Sequence, residues 1–225
     1  MAVVWCGNRI WKGEENMKKA IVIAIGLTLV ITAAGFAGQG RNPHAKIAIH
    51  TQATAPVCTV KAWPVFTSCS AIKTTFPGSG VPVYVMPVFY DLVEFTVTEF
   101  GLQWPALWYT MIWARCKGDI AVGGISQPGD GTAISWSACQ TMWSICPGVG
   151  SFANPAYVTQ GQVCPIPYFA TGDYGVVDCQ PSPGPYYDYP EFAHCAGIGG
   201  IIGDDPCEVT ATQPSTWGEI KSIFK

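Results

Sequence analysis

The sequence predicts an all-β domain: an antiparallel β-sandwich stapled by disulfides, with a signal helix at its N-terminus and a short helix at its C-terminus. Three observations carry this. Apolar and polar residues alternate over several short segments, as they do on strands with one buried face. The chain holds 25 Gly and 18 Pro with only 12% charged residues, against a typical ~25% charged, a composition of turns and short strands. It also holds ten cysteines, a density that reads as a disulfide framework in an oxidising compartment.

The first element is an address. Met17-Lys18-Lys19 precedes an uncharged apolar run from Ala20 to about Ala34, and Gly35 and Ala37 stand at the −3 and −1 positions of a cleavage site. Positive start, apolar middle and small-residue exit form a secretory signal peptide over 17–37. Lys12-Gly13-Glu14-Glu15 can be encoded by a purine-rich tract just before the Met17 codon. Residues 1–16 are therefore read as untranslated leader, with Met17 as the true start, and a peptide from them in native material would refute this. The alternative is a cytoplasmic tail before an uncleaved anchor, although the run is slightly short for a ~20-residue span. The expected product is secreted, periplasmic or on the cell surface, and begins after Ala37.

From Gly38 onward, 8 Lys and Arg face 13 Asp and Glu, a net charge of about −5. A mildly acidic chain without a basic cluster has no footprint for nucleic acid or anionic membrane. The 188 residues that remain suffice for one domain, expected over 38–211.

The strands follow in order. "AKIAIHT" (45–51) alternates at Ile47 and Ile49. "VPVYVMPVFY" (81–90) sets Val81, Val83 and Val85 on one face. Pro82 and Pro87 lack the ladder N–H, which places the segment at an edge or splits it. "VEFTVTEF" (93–100) is the cleanest alternation in the chain. "WYTMIWAR" (108–115) puts Tyr109, Met111 and Trp113 on one face, and "TAISWSAC" (132–139) follows the turn "QPGDG". "YGVVDC" (174–179) and "GIGGIIG" (197–203) are weaker, glycine-diluted strands. Trp104, Trp108, Trp113, Trp136 and Trp143 are expected in the core and on sheet faces. In "STWGEIKSIFK" (215–225), Thr216 and Glu219 form a capping box, and Trp217, Ile220 and Phe224 make one apolar stripe. So short a helix must dock, on the domain or on another protein.

Nine cysteines follow the signal segment: Cys58, Cys69, Cys116, Cys139, Cys146, Cys164, Cys179, Cys195 and Cys207. Nine is odd, so at least one is unpaired or intermolecular. Spacing alone leaves the connectivity open. The favoured pairing is Cys58 with Cys69 around a Trp-Pro turn, with Cys164, Cys179, Cys195 and Cys207 pairing among themselves. Cys116, Cys139 and Cys146 then supply one bridge and the odd thiol. No C-x-x-C pair occurs and the histidines are scattered, so neither a metal nor a cofactor is expected.

Catalytic signatures are missing: no G-x-S-x-G, H-E-x-x-H, Walker or dinucleotide motif is present. Glu94 and Glu99 are an odd number apart and do not share a strand face, and Asp204-Asp205-Pro206 reads as a turn. His194 beside Cys195 suggests a Cys-His couple, but Cys195 belongs to the expected bridges. The most promising feature is "PSPGPYYDYPEF" (181–192). It gathers Tyr186, Tyr187, Asp188, Tyr189 and Phe192 in a proline-held loop, and aromatic faces beside carboxylates suit a sugar ring. The same tyrosines could instead cover a sheet edge.

Together "VYVMPVFYDLVEFTVTEFGLQWP", "GTAISWSACQ", the Cys164, Cys179 and Cys195 series, "GIGGIIGDDPCEV" and "TWGEIKSIFK" resemble a group of uncharacterised secreted, cysteine-rich proteins of environmental bacteria. The resemblance covers most of the mature chain and implies no activity. By fold-level analogy the strand pair is similar to cohesin-like and carbohydrate-binding sandwiches, without their calcium-binding carboxylates. The expected function is that of a secreted, non-catalytic binding or surface-structural protein. Its partner would be a polysaccharide or another surface protein. A carbohydrate-binding module using the tyrosine loop is the alternative, and a secreted hydrolase is a further one.

Overall fold

A computed structural model describes residues 40–59, 62–116, 118–180 and 187–208. The expected signal segment and the 215–225 helix with Trp217, Ile220 and Phe224 lie outside the described residues. Within them the chain is built of strands, with three single 3-10 turns. The strands are β1 (Lys46–Gln52), β2 (Thr75–Phe76), β3 (Tyr84–Tyr90), β4 (Phe95–Gln103), β5 (Met111–Arg115), β6 (Ile120–Gly123) and β7 (Gly131–Gln140). Then follow β8 (Ser144–Ile145), β9 (Gly148–Phe152), β10 (Gly161–Ile166), β11 (Gly175–Val177), β12 (Tyr187–Asp188), β13 (Phe192–His194) and β14 (Ala196–Ile198).

They form two sheets. The six-stranded sheet runs β13-β1-β3-β9-β5, with β8 on the same edge of β3 as β9. In the eight-stranded sheet β4 is the spine. One edge of β4 pairs β7, and the other pairs β11 along its first half and β10 along its last. The expected antiparallel order is incomplete: β1 runs parallel to β13, and β14 parallel to β2. The short returning strands 192–194 and 196–198 are the cause, each joining a sheet beside a strand from much earlier in the chain.

Strand 81–90 corrects the sequence reading. β3 is interior, paired along its whole length with β1. Its Pro87 is tolerated because the pairing with 144–152 lapses at Met86–Val88, opposite Cys146-Pro147. The missing N–H therefore breaks no rung on that side.

Alternation then explains the packing. Ile47, Ile49, Val85 and Phe89 from one sheet meet Phe95, Phe100, Leu102, Ile134, Val163 and Val176 from the other in a common core. Phe89 and Phe100 touch edge to face, their centroids 5.7 Å apart. Each such side chain contributes about 1.5–3 kcal/mol on burial. Trp104, Trp108 and Trp136 are buried as expected, and Trp113 and Trp143 are half-buried.

The opposite face of the six-stranded sheet presents Ala48, Met86, Val88 and Tyr90, covered by Phe66 and Ile72 of the 62–72 loop. Phe66 N–H donates to the Ser144 hydroxyl, which donates back to Phe66 C=O at 2.7 Å.

Four disulfides close the structure: Cys58–Cys116, Cys69–Cys207, Cys139–Cys179 and Cys164–Cys195. Bridges in this number persist in oxidising environments. The expected Cys58–Cys69 pair does not form, and of the expected C-terminal set only Cys164–Cys195 does. Two bridges instead tie Cys58 and the 62–72 loop to distant segments, because that loop packs on the face of a sheet. Cys146 is the odd thiol, fully buried and donating to Gly148 C=O; burial pushes its pKa up to about 12.

Candidate functional site

The register of the eight-stranded sheet defines its outer face. Residues directly opposite one another share a face. Ile134, Thr98 and Val176 form one row, and Ile134 and Val176 belong to the core. The neighbouring odd-numbered rows therefore point outward. One runs Tyr187, Val177, Val97, Ser135, Ile120; the next runs Gly175, Glu99, Ala133, Val122. None of these residues is basic.

Tyr187 lies across Gly175, where a β-carbon would collide with its ring. Glycine at 175 thus lets the aromatic ring cross the strand at the position paired with Glu99. The Tyr187 hydroxyl is buried without a hydrogen-bond partner among the described residues. Tyr189 packs on Tyr187 with centroids 5.4 Å apart and stays 42% exposed. Its phenol pKa is raised by partial burial and by the nearby negative charges of Asp173 and Glu99.

Glu99 is a buried carboxyl on the outer side of the spine strand. Burial raises its pKa, and Asp173 adds to the rise, while the Thr171 hydroxyl opposes it by donating to Oε1 at 2.8 Å. That bond holds the 168–173 turn against the sheet. Beside it Tyr168 covers Gly131, and Phe169 projects 71% exposed. The result is a sheet face with small and apolar residues as its floor, tyrosines along one side, and Glu99 and Asp173 as an acidic rim.

The five residues singled out from 181–192 are thereby separated. Tyr187 and Tyr189 share the outer face. Tyr186 lies outside the described residues. Asp188 alternates to the core side and is buried, accepting from the backbone and side-chain N–H groups of Asn42 at 2.8 and 3.1 Å. Phe192 belongs to the other sheet, under the Lys46 ammonium. The sequence reading missed Glu99, Thr171 and Asp173 as companions of the tyrosines. A signal existed in the isolated Gly175 of a strand pattern, which marks a close approach, but its partner could not be read.

Other sequence-level candidates resolve into structure. Cys195 is bridged to Cys164, so no Cys-His couple forms with His194. Asp205 accepts from Cys207 N–H as a turn residue does, whereas Asp204 accepts from Cys195 N–H, nine residues earlier. Glu94 pairs with Arg41, away from Glu99. Among the described residues, no group of three or more His, Cys, Asp or Glu is placed to hold a metal, and no helix is long and apolar enough to cross a membrane.

No protein-family model matches this chain, and no curated protein or solved structure matches it.

Proposed function

We propose that this chain is an exported, non-catalytic binding protein. It would be a disulfide-stapled β-sandwich released from its signal segment near Ala37, and its ligand would be met on the outer face of the eight-stranded sheet. The observation that carries this reading is the Tyr187–Tyr189 pair near Glu99 on an outward face whose described strand rows hold no basic residue. Paired, partly exposed tyrosines, their rings tilted by 42°, with hydrogen-bonding neighbours suit an uncharged polar ring, and a polysaccharide is the ligand class they favour. The four bridges support export, since such cross-links persist outside reducing compartments. The resemblance to secreted cysteine-rich bacterial proteins agrees with it.

The test is retention on a panel of insoluble polysaccharides. Tyr189→Ala should lose retention on at least one polysaccharide of the panel while leaving the circular dichroism spectrum unchanged. Retention equal to wild type in Tyr189→Ala and Tyr187→Ala would remove this face from consideration.

A second reading, an assembly subunit of a surface structure, is favoured by β6. This edge strand exposes Ile120 and Val122 at 63% and 60%, and such an edge can accept another strand. Concentration-dependent association that is lost in Val122→Lys would support it.

A further inference from the structure

A second aromatic pair lies elsewhere, where the ends of β4 and β9 run into 3-10 turns. Tyr109 and Tyr157 meet edge to face with centroids 4.9 Å apart, 54% and 50% exposed. Tyr109 is one of two non-glycine described residues with positive φ, at φ 60 and ψ −146. This lies close to the region that glycine alone occupies freely. A bulky side chain there costs conformational energy, and only the surrounding structure can hold it.

That structure is visible. Tyr109 N–H donates to Ala106 C=O at 3.2 Å, and the indole N–H of buried Trp104 donates to Tyr109 C=O at 3.0 Å. Thr110 C=O accepts from Ala153 N–H at 2.9 Å, which joins the two turns. The fold thus clamps the backbone of Tyr109 from the core side while its ring stands half in water. Among the described residues Tyr157 is its aromatic partner.

The surroundings specify chemistry. Exposed Thr110, Gln127 and Asn154 supply a hydroxyl and two amides: Gln127 Nε2 donates to Thr110 Oγ1, and Asn154 Oδ1 accepts from Ala156 N–H. Exposed Leu107 extends the apolar side. Neither the 104–110 nor the 153–158 segment contains a charged residue, and the nearby Asp130 carboxylate is taken up by the Ser126 N–H and hydroxyl and the Gln127 N–H. An anionic or cationic ligand would find no counter-charge on them, and a lipid surface would bury the amides unpaired. Rings with adjacent neutral donors and acceptors match a sugar, which offers an apolar C–H face and hydroxyls around its rim.

We propose that Tyr109 and Tyr157 form a binding platform for a neutral saccharide, separate from the Tyr187–Tyr189 face and not dependent on it. The strained backbone of Tyr109 supplies the discriminating variant. Tyr109→Gly removes the ring and relieves the strain together, so a ligand role and a structural role give opposite outcomes.

Native affinity electrophoresis through hydroxyethylcellulose, soluble xylan and galactomannan reads the binding, and thermal unfolding reads the stability. At least one of these polymers should retard the wild type. Tyr109→Gly and Tyr157→Ala should each weaken that retardation about tenfold or more, a loss of about 1.4 kcal/mol. The Tm of Tyr109→Gly should stay level or rise, and Tyr189→Ala should retain this binding. The proposal is overturned if no polymer retards the wild type, or if Tyr109→Gly binds as wild type does. A fall in the Tm of Tyr109→Gly would also overturn it, since the ring would then be structural. Loss in Tyr189→Ala alone would assign the binding to the other face. Wild-type capture on phosphatidylcholine vesicles, lost in Tyr109→Gly, would replace the saccharide with a lipid surface.

Discussion

Asn42→Ala should be among the most damaging substitutions of a single polar side chain in this protein. Asn42 is fully buried. Its Nδ2 donates to Glu94 C=O at 2.8 Å and to the Asp188 carboxylate at 3.1 Å, and its Oδ1 accepts from the N–H groups of Val93 and Glu94. One side chain thus joins the start of β1, the turn before β4 and β12. A neutral hydrogen bond contributes about 0.5–1.5 kcal/mol net, one to a charged group about 1.5–3. The partners at 93 and 94 are partly reachable by water, so the four bonds do not add fully, and we expect a loss of about 3–5 kcal/mol. At about 2–4 °C per kcal/mol for a domain of this size, Tm falls by roughly 10 °C.

Urea unfolding followed by tryptophan fluorescence measures it, with a lower midpoint and an unchanged slope. The effect should also depend on pH. Burial raises the Asp188 pKa, and the Asn42 donors oppose that rise. A carboxyl whose pKa is raised on folding binds protons more tightly in the native state. Its stabilising contribution is complete below the unfolded value of 3.8 and is lost as pH rises through the folded value. Without Asn42 the folded value climbs further, so the deficit of Asn42→Ala should shrink at acid pH. A loss below about 1 kcal/mol at pH 7, or a deficit that grows on acidification, would refute this account of the network.

Three other outcomes follow from particular contacts. In Gly148→Ala the new methyl meets the Trp113 ring on the neighbouring strand. Overpacking should cost about 1–3 kcal/mol and shift tryptophan emission; an unchanged Tm and spectrum would count against the packing. His50 Nδ1 accepts from Lys73 N–H at 2.9 Å, so the folded state needs the neutral ring, and burial lowers its pKa below 6.5. Stability from this group is present above pH 6.5 and lost as pH falls through 6.5 toward the folded value. The Tm drop over that range should be smaller in His50→Gln, and an equal drop would exclude His50 as its source. Removing Cys69–Cys207, the bridge of longest separation at 138 residues, should cost about 2–4 kcal/mol. The other three bridges already restrict the unfolded chain and hold the loss to that range; a loss under about 1 kcal/mol would mean the 62–72 layer is held by packing alone.

What could be read from sequence was what depends on neighbours in sequence. The alternation at 45–51 and 93–100 became β1 and β4 because period-two patterning fixes a strand face locally. Pro87 misled because its tolerance depends on where another segment, Cys146-Pro147, fails to pair. The cysteine pairs misled for a related reason. Cys58 and Cys69 are close in sequence, but each sits under a different part of the sheet and meets Cys116 or Cys207 there. At the candidate site, the tyrosines of 186–189 announced themselves by composition. That Tyr187 would lie over Gly175 beside Glu99, while Asp188 turned inward to Asn42, follows from the register of β12 on β11. Alternation at Tyr109 likewise suggested a strand face shared with Met111 and Trp113, but its positive φ turns the chain just before β5 begins.

The central claim is an exported fold whose sheets and loops are locked by four specified bridges. Non-reducing peptide mapping of the natively exported protein tests it most directly, with alkylation before and after denaturation. The account predicts an N-terminus near Gly38, linked peptides for Cys58–Cys116, Cys69–Cys207, Cys139–Cys179 and Cys164–Cys195, and Cys146 alkylated only after unfolding. Free thiols at the paired positions, a different connectivity, or a Cys146 that reacts in the native protein would contradict it.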